Sequence, residues 1–174
     1  MAAAAGSGSG CSRPAAPPAP PPVAVRLVDH AEIEAERARH AGKVVVLDCW
    51  STSCPPCVKE FPGLVALARK HGDSVVCISL CFDYEGIGAA EDVVPRVTGF
   101  LRAVGAGEIV NLVSREDADA LSKKMDGLTL PTVFVWRPDG SLVRRFDDDF
   151  ATQQLGRPFA YADVDEAVSE SLGR

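Results

Sequence analysis

No run of this 174-residue chain approaches the roughly 18 consecutive apolar residues of a membrane-crossing helix, so no such helix is expected. Basic clusters are missing too. The 24 acidic residues outnumber 18 Lys and Arg, for a formal charge of -6, and a grip on nucleic acid or anionic lipid, which needs clustered cations, is not expected. Six cysteines are too few for a disulfide-dense scaffold, so the core must be hydrophobic and each cysteine needs its own explanation. A single CxxC occurs, whereas structural zinc needs four ligands and usually a second close pair. Methionine is confined to Met1 and Met125 and there is no His-rich tract or internal repeat. His30, His40 and His71 fall at helix starts or ends beside polar neighbours, where solvated or dipole-favoured roles are commoner than ligation. Neither a metal nor a cofactor is expected.

What is present divides at residue 22. Residues 1–22 are Ala, Gly, Ser and Pro apart from Met1, Cys11 and Arg13, the one charge, a composition that cannot bury a core and reads as a disordered tether, flexible in its Gly/Ser half and extended in its Pro half. Cys11 sits between the halves, and small residues before one Cys followed by a Pro/Ala tether resemble a bacterial lipoprotein start. Only Ala2 to Ala5 stand where a signal peptide has an apolar region. A start further upstream, a trimmed leader and an ordinary linker cysteine therefore all stay open. Residues 23–174 suffice for one domain.

Within that domain, Val23 to Val28 reads as a strand and Asp29 with Glu32 as the capping box of a helix through His40. Val44 to Trp50 is apolar on both faces except at Asp48, the signature of a central strand in a mostly parallel sheet. Phe61, Leu64, Val65 and Ala68 recur at helical spacing from Cys54 to His71. Val75 to Phe82 is a second strand, Val93 to Val104 a helix and Ile109 to Val113 a strand. Ser114 with Asp117 caps a helix ending at Gly127. Thr132 to Trp136 and Leu142 to Phe146 flank Pro138-Asp139-Gly140 as a hairpin, and Asp147 to Asp149 read as a solvated turn. A last helix is expected to start at Asp163, capped with Glu166. This alternation predicts an α/β architecture with a central mixed sheet flanked by helices.

The chemistry concentrates in Cys54-Pro55-Pro56-Cys57, between the central strand and its helix. Residues three apart in a first helical turn lie about 5–6 Å apart at Cβ, within adjusting distance of a disulfide. Cys54, at the N-cap, would have its thiolate stabilised by free N–H groups and the positive end of the helix dipole. It is the expected nucleophile, and Cys57, one turn in, the residue that resolves a mixed disulfide. Asp48, an acid among Val, Leu and Trp, should have a raised pKa and is placed to take the proton of Cys57. Its bland alternative is a carboxylate hydrogen-bonded to backbone.

The segment Asp48-Cys49-Trp50-Ser51-Thr52-Ser53-Cys54-Pro55-Pro56-Cys57, with Pro62 following, resembles the active-site segment of thioredoxin-fold proteins. The CPPC box, Glu60-Phe61-Pro62, Leu130-Pro131-Thr132-Val133-Phe134 and Pro138-Asp139-Gly140 resemble the extracytoplasmic TlpA/ResA/DsbE-like branch. That resemblance implies a thioredoxin fold over residues 23–174, with a helix-strand-helix insertion from Tyr84 to Gly127 ahead of a cis-Pro131 loop facing the CxxC pair. It also implies a substrate groove at Trp50, Pro55, Pro56, Leu130, Pro131 and Thr132, and a redox-active Cys54–Cys57 disulfide. By its strand position Trp50 alternatively reads as core, close enough to Cys54 to report its redox state by fluorescence. Two positions depart from the pattern: Ser53 replaces a usual Trp beside the nucleophile, and Ser79 stands where minimal thioredoxins carry a Lys paired with the buried acid. Burial should then dominate the pKa of Asp48.

Cys49, Cys77 and Cys81 lie on strands and read as buried thiols. Cys77 and Cys81, four residues apart, would be about 13 Å apart along a strand and cannot bridge, while a Cys49–Cys77 pairing across strands is conceivable. The expected function is thiol-disulfide exchange with cysteine-containing extracytoplasmic, periplasmic proteins. The resemblance favours the reducing direction, as in cytochrome c maturation, with electrons from a membrane donor of the DsbD/CcdA type. A disulfide-forming oxidase, a non-catalytic binding module and a Cu(I) metallochaperone are the alternatives. If Cys11 anchors the chain as a lipoprotein, labelled acyl chains will be incorporated and lost on Cys11→Ser; an ordinary linker cysteine incorporates none.

Overall fold

The structure, a computed structural model, describes residues 21–173; Cys11 lies outside them. Its centre is β2 (Val44–Trp50), whose seven residues are all buried. Side chains alternate along a strand, so Val44, Val46 and Trp50 enter one apolar layer while Val45, Leu47 and Cys49 enter the other. Both faces must then be covered, as helices do in an α/β sheet.

Around β2 lie β1 (Val25–Val28), β3 (Val75–Cys81), β4 (Val110–Ser114), β5 (Thr132–Trp136) and β6 (Leu142–Phe146). Their order across the sheet is β1-β4-β3-β2-β5-β6. The β1-β4, β4-β3 and β3-β2 pairs are parallel, and β5 and β6 are antiparallel additions beyond β2. The mixed sheet is as expected, and the helix-strand-helix segment places its strand inside the sheet, between β1 and β3. No helix among the described residues is long and apolar enough to cross a membrane.

Helix α1 (His30–Ala38) carries the anticipated capping box between Asp29 and Glu32, and α2 (Pro55–His71) starts behind Cys54 with Pro55 in its first turn. Helices α3 (Val94–Ala103) and α4 (Ala118–Lys124) flank β4. A short α5 (Asp148–Phe150) passes into a π-helical turn before α6 (Tyr161–Ser171). Through Phe61, Leu101 and Val164, helices α2, α3 and α6 cover one sheet face; Ile33 of α1 and Leu121 of α4 cover the other.

Several local expectations are corrected. The last helix begins at Tyr161, and Asp163 serves from inside its first turn by accepting the Ala160 N–H at 2.9 Å. Asp117 alone caps α4; the Ser114 hydroxyl bonds to Glu116. Asp147 is buried and caps α5 through the Phe150 N–H at 2.9 Å, so it does not belong to a solvated turn. His71 is buried with Nε2 2.6 Å from Asp165, a packed pair in place of a solvated ring. Cys49 faces the α1 layer and Cys77 the α2 layer, which rules out their disulfide.

Trp50, Phe61 and Phe100 form a triad with centroids 4.7, 4.9 and 5.2 Å apart. It joins β2, α2 and α3 directly beneath the CPPC turn. Phe61→Ala opens a cavity at a fully buried site and should cost about 3–5 kcal/mol, read as a lower midpoint in urea with little change in the slope.

Candidate active site

The cysteine pair sits where β2 ends and α2 begins. Cys54 is the N-cap in extended conformation and half-buried, while Cys57 is 3% exposed. The two form a disulfide with Cα atoms 5.3 Å apart, and the Cys57 N–H donates to Cys54 Sγ at 3.3 Å. In the dithiol that N–H and the positive end of α2 favour a thiolate at Cys54. Of the two sulfurs, that of Cys54 belongs to the more accessible residue.

Two cavities flank the pair. The larger, about 380 Å³, is lined by Asp48, Pro56, Cys57, Pro131, Phe159 and Tyr161 among others. The second, about 230 Å³, opens beside Cys54 with Ser53, Glu85, Asp119 and Leu128. Leu130 borders both, and the Leu130-Pro131 bond is cis. Pro55 and Pro56 are exposed beside the sulfurs.

Two residues placed in the substrate groove from sequence are withdrawn from it. Trp50 is 0% exposed within the aromatic triad, consistent with its alternative reading as core. Thr132 is equally buried, paired with Cys49 in the sheet, and its hydroxyl donates to the Thr129 carbonyl at 2.5 Å.

Asp48 is 4% exposed and lies opposite Ser79 in the β2-β3 register. Ser79 is occupied elsewhere, donating to Asn111 Oδ1 at 2.9 Å. The acid's partner is Tyr161, whose hydroxyl donates to Asp48 Oδ2 at 2.5 Å. Burial disfavours the charged carboxylate and lifts its pKa to about 7, with the Tyr161 hydrogen bond opposing part of that rise. The bland reading, bonding to backbone, does not hold. Burial, with the negative Asp48 adding to it, pushes the neighbouring Cys77 thiol up to about 12, so it stays neutral.

A second acid escaped the sequence reading. Asp83 is buried just beyond β3 and accepts from Ser51 Oγ at 2.7 Å, Thr52 N at 2.7 Å, Thr52 Oγ1 at 2.5 Å and Arg96 Nε at 2.9 Å. Burial alone would raise its pKa, but the bonds from Thr52, Ser51 and Arg96 outweigh it and hold the carboxyl below its ordinary value. This anionic clamp fixes the three residues before Cys54, with Ser53 joined to Ser51 Oγ at 2.8 Å. Only the run of small hydroxyl residues hinted at it. Among the described residues no group of three or more His, Cys, Asp and Glu is placed to hold a metal ion.

No family model matches the chain. Solved structures do resemble it. A secreted Mycobacterium tuberculosis disulfide oxidoreductase described as homologous to E. coli DsbE aligns with a TM-score of 0.57 and 17% identity, over 76% of this chain and 85% of its own. A thioredoxin-family thiol:disulfide interchange protein of Chlorobium tepidum gives 0.56 and 20%, over 78% and 84%. The exposed lipoprotein thioredoxin Etrx1 of Streptococcus pneumoniae gives 0.56 and 17%, over 77% and 89%. The chain has the thioredoxin fold.

Because the pKa of Asp48 is raised from 3.8 to about 7, the folded protein holds this proton more tightly than the unfolded chain. The group's contribution to stability is therefore greatest below about pH 4 and is lost as pH rises through about 7. Asp48→Asn should stabilise the protein at pH 8 by up to about 4 kcal/mol, a gain that shrinks toward pH 4. Denaturant titrations at the two pH values check this; an equal effect at both would count against an ionising buried Asp48.

Proposed function

We propose that the chain is a protein thiol-disulfide oxidoreductase working outside the cytoplasm in the reducing direction. The observation that carries this reading is the Cys54–Cys57 disulfide at the N-terminus of α2, with Cys54 half-exposed and Cys57 buried and lining a cavity together with Asp48. A purely structural bridge has no use for an accessible N-cap sulfur backed by a buried proton acceptor.

The reaction follows from that asymmetry. The Cys54 thiolate attacks one sulfur of a substrate disulfide, forming a mixed disulfide and expelling the other sulfur as a thiolate that takes a proton from solvent. Cys57 gives its proton to the Asp48 carboxylate and attacks Cys54 Sγ. The Cys54–Cys57 bond forms, the Cys54–substrate bond breaks, and the second substrate thiolate leaves and takes the proton back from Asp48. One substrate disulfide has become a dithiol and the enzyme's dithiol a disulfide. Exposed Pro55 and Pro56, with Leu130 and Pro131 at the cavity rims, form the groove for an extended substrate segment around its cysteine.

The TlpA/ResA/DsbE-like motifs support the reducing direction, with cysteines of exported proteins such as apocytochrome c as substrates and a membrane reductase of the DsbD/CcdA type as donor. Similarity to a protein described as secreted and to an exposed lipoprotein supports an extracytoplasmic site. A lipid anchor at Cys11 would hold the domain at the membrane beside such a donor.

The deciding measurement is the reduction potential of the pair, from equilibration in thiol-disulfide buffers read by alkylation mass and by fluorescence of Trp50. A value near or below about -230 mV supports a reductant, whereas one near -120 mV makes the protein an oxidant. Cys57→Ser should trap protein partners at Cys54 as mixed disulfides; a variant that captures none under oxidising conditions would sink the exchange reaction itself.

A further inference from the structure

Tyr161 lies 113 residues from Asp48 in sequence, yet its hydroxyl reaches Asp48 Oδ2 at 2.5 Å. Three features show that this contact is built for. Gly63, six residues after Cys57 on α2, is the first. A Cβ there would fall 2.4 Å from both Cβ and Cγ of Tyr161. Gly63 has ordinary helical backbone, so no turn requires glycine, and in a helix interior it is less favourable than alanine. What it supplies is space for the tyrosine ring. The start of α6 is the second: Arg157 grips both carboxylate oxygens of Asp163 at 2.7 and 2.8 Å, and Asp163 accepts the Ala160 N–H, fixing the turn that begins with Tyr161. The third is Asp48 itself. Among the described residues its Oδ1 accepts no hydrogen bond, although Asp48 and Cys57 line the same cavity.

We propose that Tyr161 is the positioning residue of the resolving step: its hydroxyl pins one oxygen of Asp48 and leaves the other to take the Cys57 proton. This rests on the oxidoreductase reading above. As Cys57 S–H passes its proton to Asp48 Oδ1, the sulfur pair attacks Cys54 Sγ and the substrate sulfur leaves. The Tyr161 O–H bond never breaks. Burial first, and then the adjacent Asp48, push its ionisation well above that of an ordinary phenol, so it stays a donor throughout.

The groups around Asp48 leave this role to Tyr161. From α2, Cys57 is the reactant, and Lys59 is exposed with its amine 3.8 Å from Glu60. From β3, Cys77 is a neutral thiol. Cys49, on β2 itself, faces the opposite layer, and Asp148 of α5 is an exposed acid at the cavity rim. Among the described residues Tyr161 is the one hydrogen-bond donor to the Asp48 side chain. Loss of its hydroxyl disfavours the carboxylate and moves proton acceptance to higher pH.

The test is stopped-flow reaction of the reduced full chain carrying Cys11→Ser, which removes the tether thiol as a competitor, with one equivalent of 5,5′-dithiobis(2-nitrobenzoate), from pH 5.5 to 9. Cys54 releases the first thionitrobenzoate and Cys57 the second. In Tyr161→Phe, which keeps the ring, the second release should slow roughly tenfold at pH 6.5 and more than the first, with its pH midpoint about one pH unit higher. Gly63→Ala, which displaces the ring while keeping the hydroxyl, should reproduce that profile, and Tyr161→Phe should add nothing to Asp48→Asn. An unmoved midpoint in Tyr161→Phe, or equal slowing of both releases, overturns the role of Tyr161. A wild-type protein that gives no second release instead overturns the oxidoreductase reading, and this inference with it.

Discussion

Sealing the Asp48 carboxyl into a strand buried on both faces makes its ionised form expensive, and much of the molecule answers to that cost. The acid cannot ionise cheaply, so its proton is held until about pH 7. Holding it there needs a partner that stabilises the anion without carrying charge. Tyr161 meets that need, and with it come the close approach of α6 to α2 at Gly63 and the clamp of Arg157 on Asp163. The hairpin β5-β6 and the π-helical turn after it deliver α6 to this place. Geometry far from Asp48 in sequence is thereby tied to its ionisation.

A second acid is handled the opposite way. Asp83 is also buried, but four hydrogen-bond donors surround it and keep it ionised. One of them is Arg96 of α3, so the segment between β3 and α4 reaches the loop that precedes Cys54. This segment therefore does more than widen the sheet with β4. It braces the loop before Cys54 at a position where Ser53 brings no bulky side chain of its own. In the contrast between Asp48 and Asp83, burial with one donor leaves a carboxyl whose pKa is raised, and burial with several donors leaves one whose pKa is lowered.

Much of this was legible in the residues. The double-sided apolar run of β2, the helical spacing after Cys54 and the Pro-Asp-Gly turn each report a local physical preference, and each element formed where that preference placed it. The capping box of α1 and the placement of both CPPC cysteines were readable for the same reason. Misreadings came where a residue had two plausible local partners. Asp163 could cap from outside the helix or serve from its first turn, and it accepts from the Ala160 N–H and from Arg157 inside a helix that begins at Tyr161. Asp147 read as solvated because three acids in a row usually are, yet the chain folds back to bury it as the cap of α5.

The sheet, the helices and the Cys54–Cys57 pair were written in the sequence, because alternation, helical periodicity and the three-residue spacing of the two cysteines are properties of neighbours along the chain. Only the tertiary packing settled which side chains meet the buried acid, that Trp50 and Thr132 belong to the core, and that Asp83 holds the loop before Cys54. Those contacts join residues tens of positions apart. A single hydrogen bond or missing Cβ between such residues leaves no periodic trace, and only the packing of α6 and α3 against the sheet brings the partners within reach.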